Sequence, residues 1–152
     1  MLFITNPHTR LQMNHNSNRN WRVMTWNVRG INSAWKWDSV KNKIQMSHCD
    51  IICLQETKKE NFEQQFIKKI CPTQFDCFDF LPSVGTSGGI LIAWKGSLFT
   101  ANNANRNPFG ISMDFLSRHN NSKWSLMCVY APCSPEGKEA FIEWFKNIQI
   151  PP

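Results

Sequence analysis

Residues 50–57 read Asp-Ile-Ile-Cys-Leu-Gln-Glu-Thr, and this stretch decides the fold. Ile51 to Leu54 is a continuous apolar run with no polar alternation. Such a run suits a strand covered on both faces, as in the central sheet of a layered α/β protein. Gln55 and Glu56 follow at its carboxyl end, the edge where open α/β sheets collect ligand sites. A carboxylate there is ionised at neutral pH and can hold one Mg²⁺, an ion that takes oxygen ligands and keeps several waters. Read alone, Glu56 is more readily a helix-cap or surface carboxylate ahead of the next helix.

Working outward, Val23–Trp26 reads as a short strand ending at Asn27, with Gly30–Ser33 as a turn. Ser33 is placed to cap a helix over Ala34–Met46, in which Trp37, Val40 and Ile44 share one face. A second helix is expected over Asn61–Ile70, with Glu60 and Glu63 near its start and Lys68 and Lys69 near its end, as the helix dipole favours. Pro72 stops it. Strands are expected at Phe75–Leu81, Ile90–Trp94, Ile111–Leu116 and Lys123–Tyr130, with His119–Ser122 joining the last two as a hairpin. Asn102–Pro108 reads as a polar loop. Ser134-Pro135-Glu136 opens a third helix, where Phe141, Trp144, Phe145 and Ile148 form an apolar stripe. The expected order is β-α-β-α-β-β-β-β-α, an α/β layered fold with a mixed sheet. Residues 1–20 are asparagine-rich and read as a disordered leader; residues 21–152 read as one domain.

The 152 residues are enough for one globular core. Seventeen Lys and Arg against eleven Asp and Glu give a net charge of +6. That balance favours polyanionic partners, nucleic acid first and membrane surfaces second; a solvated basic face accounts for it equally well. The six cysteines contain no C-x-x-C pair, and the histidines show no zinc-ligand spacing. Free structural thiols in a reducing compartment are expected. No apolar run approaches the ~20 residues of a membrane span, and Met1–Thr5 is too short for a signal peptide's apolar core. The acid-poor start, with Arg10, Arg19 and Arg22, leaves an organelle transit peptide open.

Two other strand ends carry polar groups. Asn27 can donate and accept, so it can orient both a metal ligand and a phosphate oxygen; it can also simply make a turn before Gly30. Tyr130 can bond a phosphate oxygen through its phenol, or be a half-buried tyrosine with its hydroxyl at the surface. Gly85-Thr86-Ser87-Gly88-Gly89 lacks the lysine and helix of a P-loop and reads as a tight turn into a strand. Of the seven tryptophans, core packing is the default, with Trp21 and Trp35 the less certain cases for base stacking.

The ordered strings W-N-V-R-G-I-N (26–32), W-K-W-D-S-V-K (35–41), D-I-I-C-L-Q-E-T-K (50–58), S-G-G-I-L-I-A-W (87–94) and V-Y-A-P (129–132) resemble the endonuclease/exonuclease/phosphatase superfamily of DNase I-like proteins. They are most similar to the endonuclease domain of plant LINE-type non-LTR retrotransposons. The resemblance implies a four-layer α/β sandwich and Mg²⁺-dependent phosphodiester hydrolysis, with Mn²⁺ as a substitute ion, DNA as partner and the nucleus as location. Carried over by motif position, Asn27 helps bind phosphate and orients the metal shell, Glu56 is the metal ligand, and Tyr130 contacts the scissile phosphate. Arg29 stands where many relatives have Asp or Asn. The family's D-x-N and S-D-H motifs have no counterpart after Tyr130. The resemblance therefore implies an N-terminal part of the domain, holding metal weakly and hydrolysing little by itself. A non-catalytic polyanion-binding remnant and a small-molecule phosphatase of the same superfamily are the alternatives. If the second sheet were missing, one apolar sheet face would lack a cover.

Overall fold

The computed structural model describes Leu2–Thr5 and residues 21–148. Two four-stranded sheets form its frame. The elements are β1 (Leu2–Thr5), β2 (Val23–Asn27), α1 (Trp37–Ser47), β3 (Ile51–Gln55), α2 (Gln64–Ile70), β4 (Cys77–Leu81), β5 (Ile90–Trp94), β6 (Phe99–Asn107), β7 (Gly110–Ser117), β8 (Lys123–Val129) and α3 (Pro135–Asn147). The first sheet has the order β2-β3-β5-β4. It is mixed: β2 and β3 run parallel, while β5 is antiparallel to both β3 and β4. The second sheet, β1-β8-β7-β6, is antiparallel throughout.

The apolar run Ile51–Leu54 behaves as its composition requires, because successive side chains serve opposite faces. Ile52 and Leu54, with Leu91 and Ala93 of β5, pack beneath Val40 and Ile44 of α1 and Ile67 and Ile70 of α2. Ile51 and Cys53, with Ile90, Ile92 and Trp94, meet Ile111, Met113, Phe115, Leu126 and Cys128 of the second sheet. The inter-sheet core is strongly aromatic: Phe115 stacks on Trp124 at 4.8 Å and meets Trp94 edge-on at 5.4 Å. The second sheet is present and covers the inner apolar face of the first.

Three expectations are corrected. Leu2–Thr5, placed in a disordered leader, pairs antiparallel with β8 from Leu2 opposite Cys128 to Thr5 opposite Ser125; the rest of that leader lies outside the described residues. Asn102–Pro108, read as a loop, is mostly strand. β6 continues through a register shift between Asn102 and Asn105 to Asn107. Phe99, Ala101 and Ala104 pack on the inter-sheet core, but the register shift breaks their alternation, and the exposed asparagines between them hide it. Arg106 fixes β6 to the neighbouring sheet through Asp79 and through the Phe80 carbonyl. The helices also start later than expected. Ser33 makes no side-chain cap, and a 3-10 turn over Ala34–Lys36 precedes α1. α2 begins only at Gln64, leaving Phe62 buried in the approach to it.

The third helix forms as expected. The Ser134 hydroxyl accepts from the Gly137 amide at 3.1 Å and Pro135 occupies the first turn. Its aromatic stripe meets Phe109 in the β6–β7 turn, with Phe141 at 5.5 Å and Trp144 at 5.4 Å, yet no residue of α3 is fully buried. The outer face of the second sheet carries polar groups instead: Ser125 and Asn103 both donate to the Asp114 carboxylate. All six cysteines are free thiols.

Candidate active site at the strand ends

Parallel pairing of β2 with β3 sets Asn27 opposite Gln55, so Asn27 and Glu56 emerge side by side at the same sheet edge. Beyond the strands, the two chains stay hydrogen-bonded: Val28 N donates to Gln55 O, Gly30 N to Glu56 O at 2.7 Å, and Ile31 N to Thr57 O. On the other side, Thr57 N and Lys58 N donate to the carbonyls of Gly89 and Gly88. Three loops are therefore sewn together around Glu56. Arg29, Glu56 and Lys58 all have positive φ, 51°, 52° and 54°. Non-glycine residues adopt that conformation rarely, and such strain gathers at functional sites.

The second sheet reaches this edge through Gln55. Its Nε2 donates to the Val129 carbonyl at 2.7 Å, bridging the two sheets one residue before Tyr130. Tyr130 N in turn donates to Phe109 O. The Tyr130 ring lies over Gly88, 3.8 Å from where a Cβ on that glycine would sit. The phenol is pushed above its ordinary value, first by burial, then by the charge of Glu56 and by Cys133, while a hydrogen bond with Ser87 pulls the other way. Tyr130 thus remains a protonated donor at neutral pH and feels the Glu56 carboxylate. The structure brings together all three residues singled out in the sequence.

Asn27 is exposed, and its Oδ1 accepts from the Arg29 amide at 3.1 Å. That bond is the turn anticipated for a strand-end asparagine. It also commits Oδ1 as an acceptor within the turn, and Nδ2 is the group that can donate to a phosphate oxygen. Glu56 is half-buried. Among the described residues no group of three or more His, Cys, Asp and Glu could hold a metal ion. One carboxylate with water and substrate oxygens fits Mg²⁺ but not zinc, which wants a closed set of nitrogen and sulfur ligands.

Several contributing residues carried no functional signal in sequence. Gln55 read as a strand end, yet it couples the sheets. Thr57 is fully buried, and its hydroxyl has no hydrogen-bond partner. Gly85–Gly89 is a tight turn, as expected: Val84 and Ser87 exchange backbone hydrogen bonds. Its glycines let the strand approach Thr57 closely. A cleft of about 600 Å³ adjoins this edge, lined by Asn32, Lys58, Lys59 and Lys69 with Glu60 and Glu63. A smaller depression near Arg22, His48, Asp50 and Lys95 lies at the opposite end of β3 and shares none of the site residues. No described helix is long and apolar enough to cross a membrane.

A family model described as the endonuclease/exonuclease/phosphatase family matches residues 24–147. Among solved structures, the catalytic domain of Xenopus laevis APE2 is similar, with a TM-score of 0.53 and 18% identity. That match covers 80% of this chain and 48% of the APE2 domain, so the chain spans about half the length of its structural relative. At this identity the likeness is one of fold. No curated protein sequence matches the chain.

Proposed function

The chain belongs to the endonuclease/exonuclease/phosphatase family, and we propose that residues 21–152 are the first part of a metal-dependent DNA-nicking domain of the retroelement type. The observation that carries this reading is the convergence of Asn27, Glu56 and Tyr130 on one edge of the sandwich. In this reading the Asn27 Nδ2 and the Tyr130 hydroxyl donate to oxygens of one phosphodiester, and Glu56 supplies the protein's carboxylate to a divalent cation. When bound, that cation supplies charge stabilisation at the phosphoryl oxygens. Gln55 keeps Tyr130 in register with Glu56. The +6 charge draws the polyanion to the site.

These residues include no acid–base partner for a water nucleophile in the family's order. The 152-residue chain alone is therefore expected to bind and orient a phosphodiester with little turnover. The test is Mn²⁺ uptake by electron paramagnetic resonance in the presence of a short DNA duplex. Uptake is expected to be weak, lost in Glu56→Gln and kept in Glu139→Gln on exposed α3. Equal uptake in all three proteins overturns the assignment of Glu56. Nicking of supercoiled plasmid with Mg²⁺ that disappears in Glu56→Ala overturns the low turnover instead. A second reading, nucleic-acid binding without chemistry, is favoured by the positive charge and by the single carboxylate. It is upheld if duplex binding weakens with salt, as counterion release requires, while Mn²⁺ uptake ignores Glu56.

A further inference from the structure

Six of the seven tryptophans are buried or half-buried, whereas Trp35 is 78% exposed. An indole left in water is an unusual use of the side chain with the largest apolar surface. Its position is specific. Trp35 is the middle residue of the 3-10 turn Ala34–Lys36, at the end of the loop that leaves Asn27.

That loop is held rigidly. Gly30 N donates to Glu56 O, Asn32 Nδ2 to Lys58 O at 2.7 Å, and Trp37 Nε1 to Ile31 O at 2.8 Å. The Lys36 ammonium donates to the carbonyls of both Arg29 and Gly30, at 3.1 and 3.0 Å, and lies 5.4 Å from the Trp35 ring centre. Lys36 therefore anchors the turn to the site loop and places a cation against the indole. Arg29 and Lys58 are exposed, and the adjoining cleft is lined by Lys58, Lys59 and Lys69 against Glu60 and Glu63, a basic excess.

We propose that Trp35 is a base-stacking residue that receives an unpaired nucleobase of the strand whose phosphate is held at Asn27 and Tyr130. This deepens, and rests on, the reading of that edge as a phosphodiester site. A flat aromatic face beside a phosphate-attracting surface is the pairing by which single-stranded nucleic acid is held, because every base has a π-face and every nucleotide a charge. The loop is already ordered by the bonds above, so little conformational entropy opposes stacking. The Lys36 ammonium beside the ring adds positive charge where the phosphate of a stacked nucleotide would lie. An apolar protein segment on the same surface would have to bury Arg29, Lys36 and Lys58 without carboxylates to meet them, which is costly.

The test is fluorescence anisotropy of the full 152-residue chain with a labelled short single-stranded DNA and with its blunt duplex. Trp35→Ala is expected to weaken single-strand binding by about fivefold or more, within the range that alanine gives at stacked aromatics. Trp35→Phe is expected to retain most of the affinity, and the salt slope is expected to stay unchanged because no phosphate contact is lost. Duplex binding, where the bases are enclosed, should change by less than about twofold. Unchanged single-strand affinity in Trp35→Ala, with salt-dependent binding intact, overturns stacking and leaves the phosphodiester reading standing. An equal loss on both DNAs with a reduced slope also overturns it, since that is the signature of a disturbed lysine. Absence of binding to either DNA by the unmutated chain overturns both readings.

Discussion

Replacing Gly89 with alanine tests whether the close approach of β5 to the end of β3 is built as described. Gly89 has φ of +87°, and an added Cβ would sit 2.4 Å from the Thr57 hydroxyl oxygen and 3.2 Å from the Ser83 Cβ. Thr57 and Ser83 are both buried, so neither moves aside easily. Gly85 is the internal control: its φ is +60°, and a Cβ there meets nothing within 4 Å. Gly85→Ala therefore reports backbone strain, about 1–2 kcal/mol for a left-handed residue, less roughly 0.4–1 kcal/mol from the stiffened unfolded chain. Gly89→Ala adds overpacking, about 1–3 kcal/mol. For a chain of this size each kcal/mol lowers Tm by roughly 2–4 °C. Gly89→Ala should then melt about 2–12 °C below Gly85→Ala by circular dichroism. The clash is chiefly with a hydroxyl that has no hydrogen-bond partner, so Thr57→Ala should relieve it. The double variant is expected to recover about 1 kcal/mol or more relative to the sum of the singles, as contacting sites do. A Gly89→Ala protein as stable as Gly85→Ala, or no coupling to Thr57, would refute the reasoning.

The remaining predictions address the site and the thiols. Tyr130 is the chain's only tyrosine, so its phenolate absorbance can be titrated alone. The midpoint is expected above the ordinary value of about 10, and Glu56→Gln should lower it, because the Glu56 charge is one cause of the rise. Because the folded value lies above the unfolded one, the associated stability is complete below the unfolded value and is lost as pH rises through the folded one. An unmoved midpoint in Glu56→Gln would mean the two groups are not close. Gln55→Leu removes the 2.7 Å bond between the sheets and should cost about 0.5–1.5 kcal/mol in urea unfolding; the Tyr130 midpoint should shift as well. Native alkylation by iodoacetamide, read by mass spectrometry, should label exposed Cys133 first. Cys71, its thiol pushed up to about 12 by burial, should react only on unfolding.

The first sheet was legible in the sequence, its edge strands β2 and β4 included, whereas β1 and β6, the edges of the second sheet, were not. Ile51–Leu54 and Ile90–Trp94 are covered on both faces, so every residue in them is constrained toward apolarity and the pattern announces itself. β6 has only one face on the core. β6 can be Asn-rich because water satisfies its outer groups, and the register shift at Asn102–Asn105 erases what alternation remains. β1 is identified by its partner, β8, which lies more than a hundred residues away; no local property of Leu2–Thr5 carries that information.

The site divides along the same line. Asn27, Glu56 and Tyr130 could be found because each is a polar residue at or just past the end of a strand. Their convergence, however, depends on residues whose types say little. Gln55 differs from any other strand-end polar residue only in what lies opposite it, the Val129 carbonyl of the other sheet. Thr57 and Gly89 matter through a spacing too small for a Cβ, which becomes visible only when three loops are placed together. Sequence order thus exposes the groups that can meet a phosphate, while the contacts that hold them at a common edge are tertiary. That division bears on Glu56 itself: substituting its carboxylate probes chemistry, whereas substituting Gln55 or Gly89 probes whether the carboxylate and the Tyr130 phenol still face one another. The Tyr130 titration separates the two, since Glu56→Gln removes the charge without moving the strand and Gln55→Leu moves the strand without removing the charge.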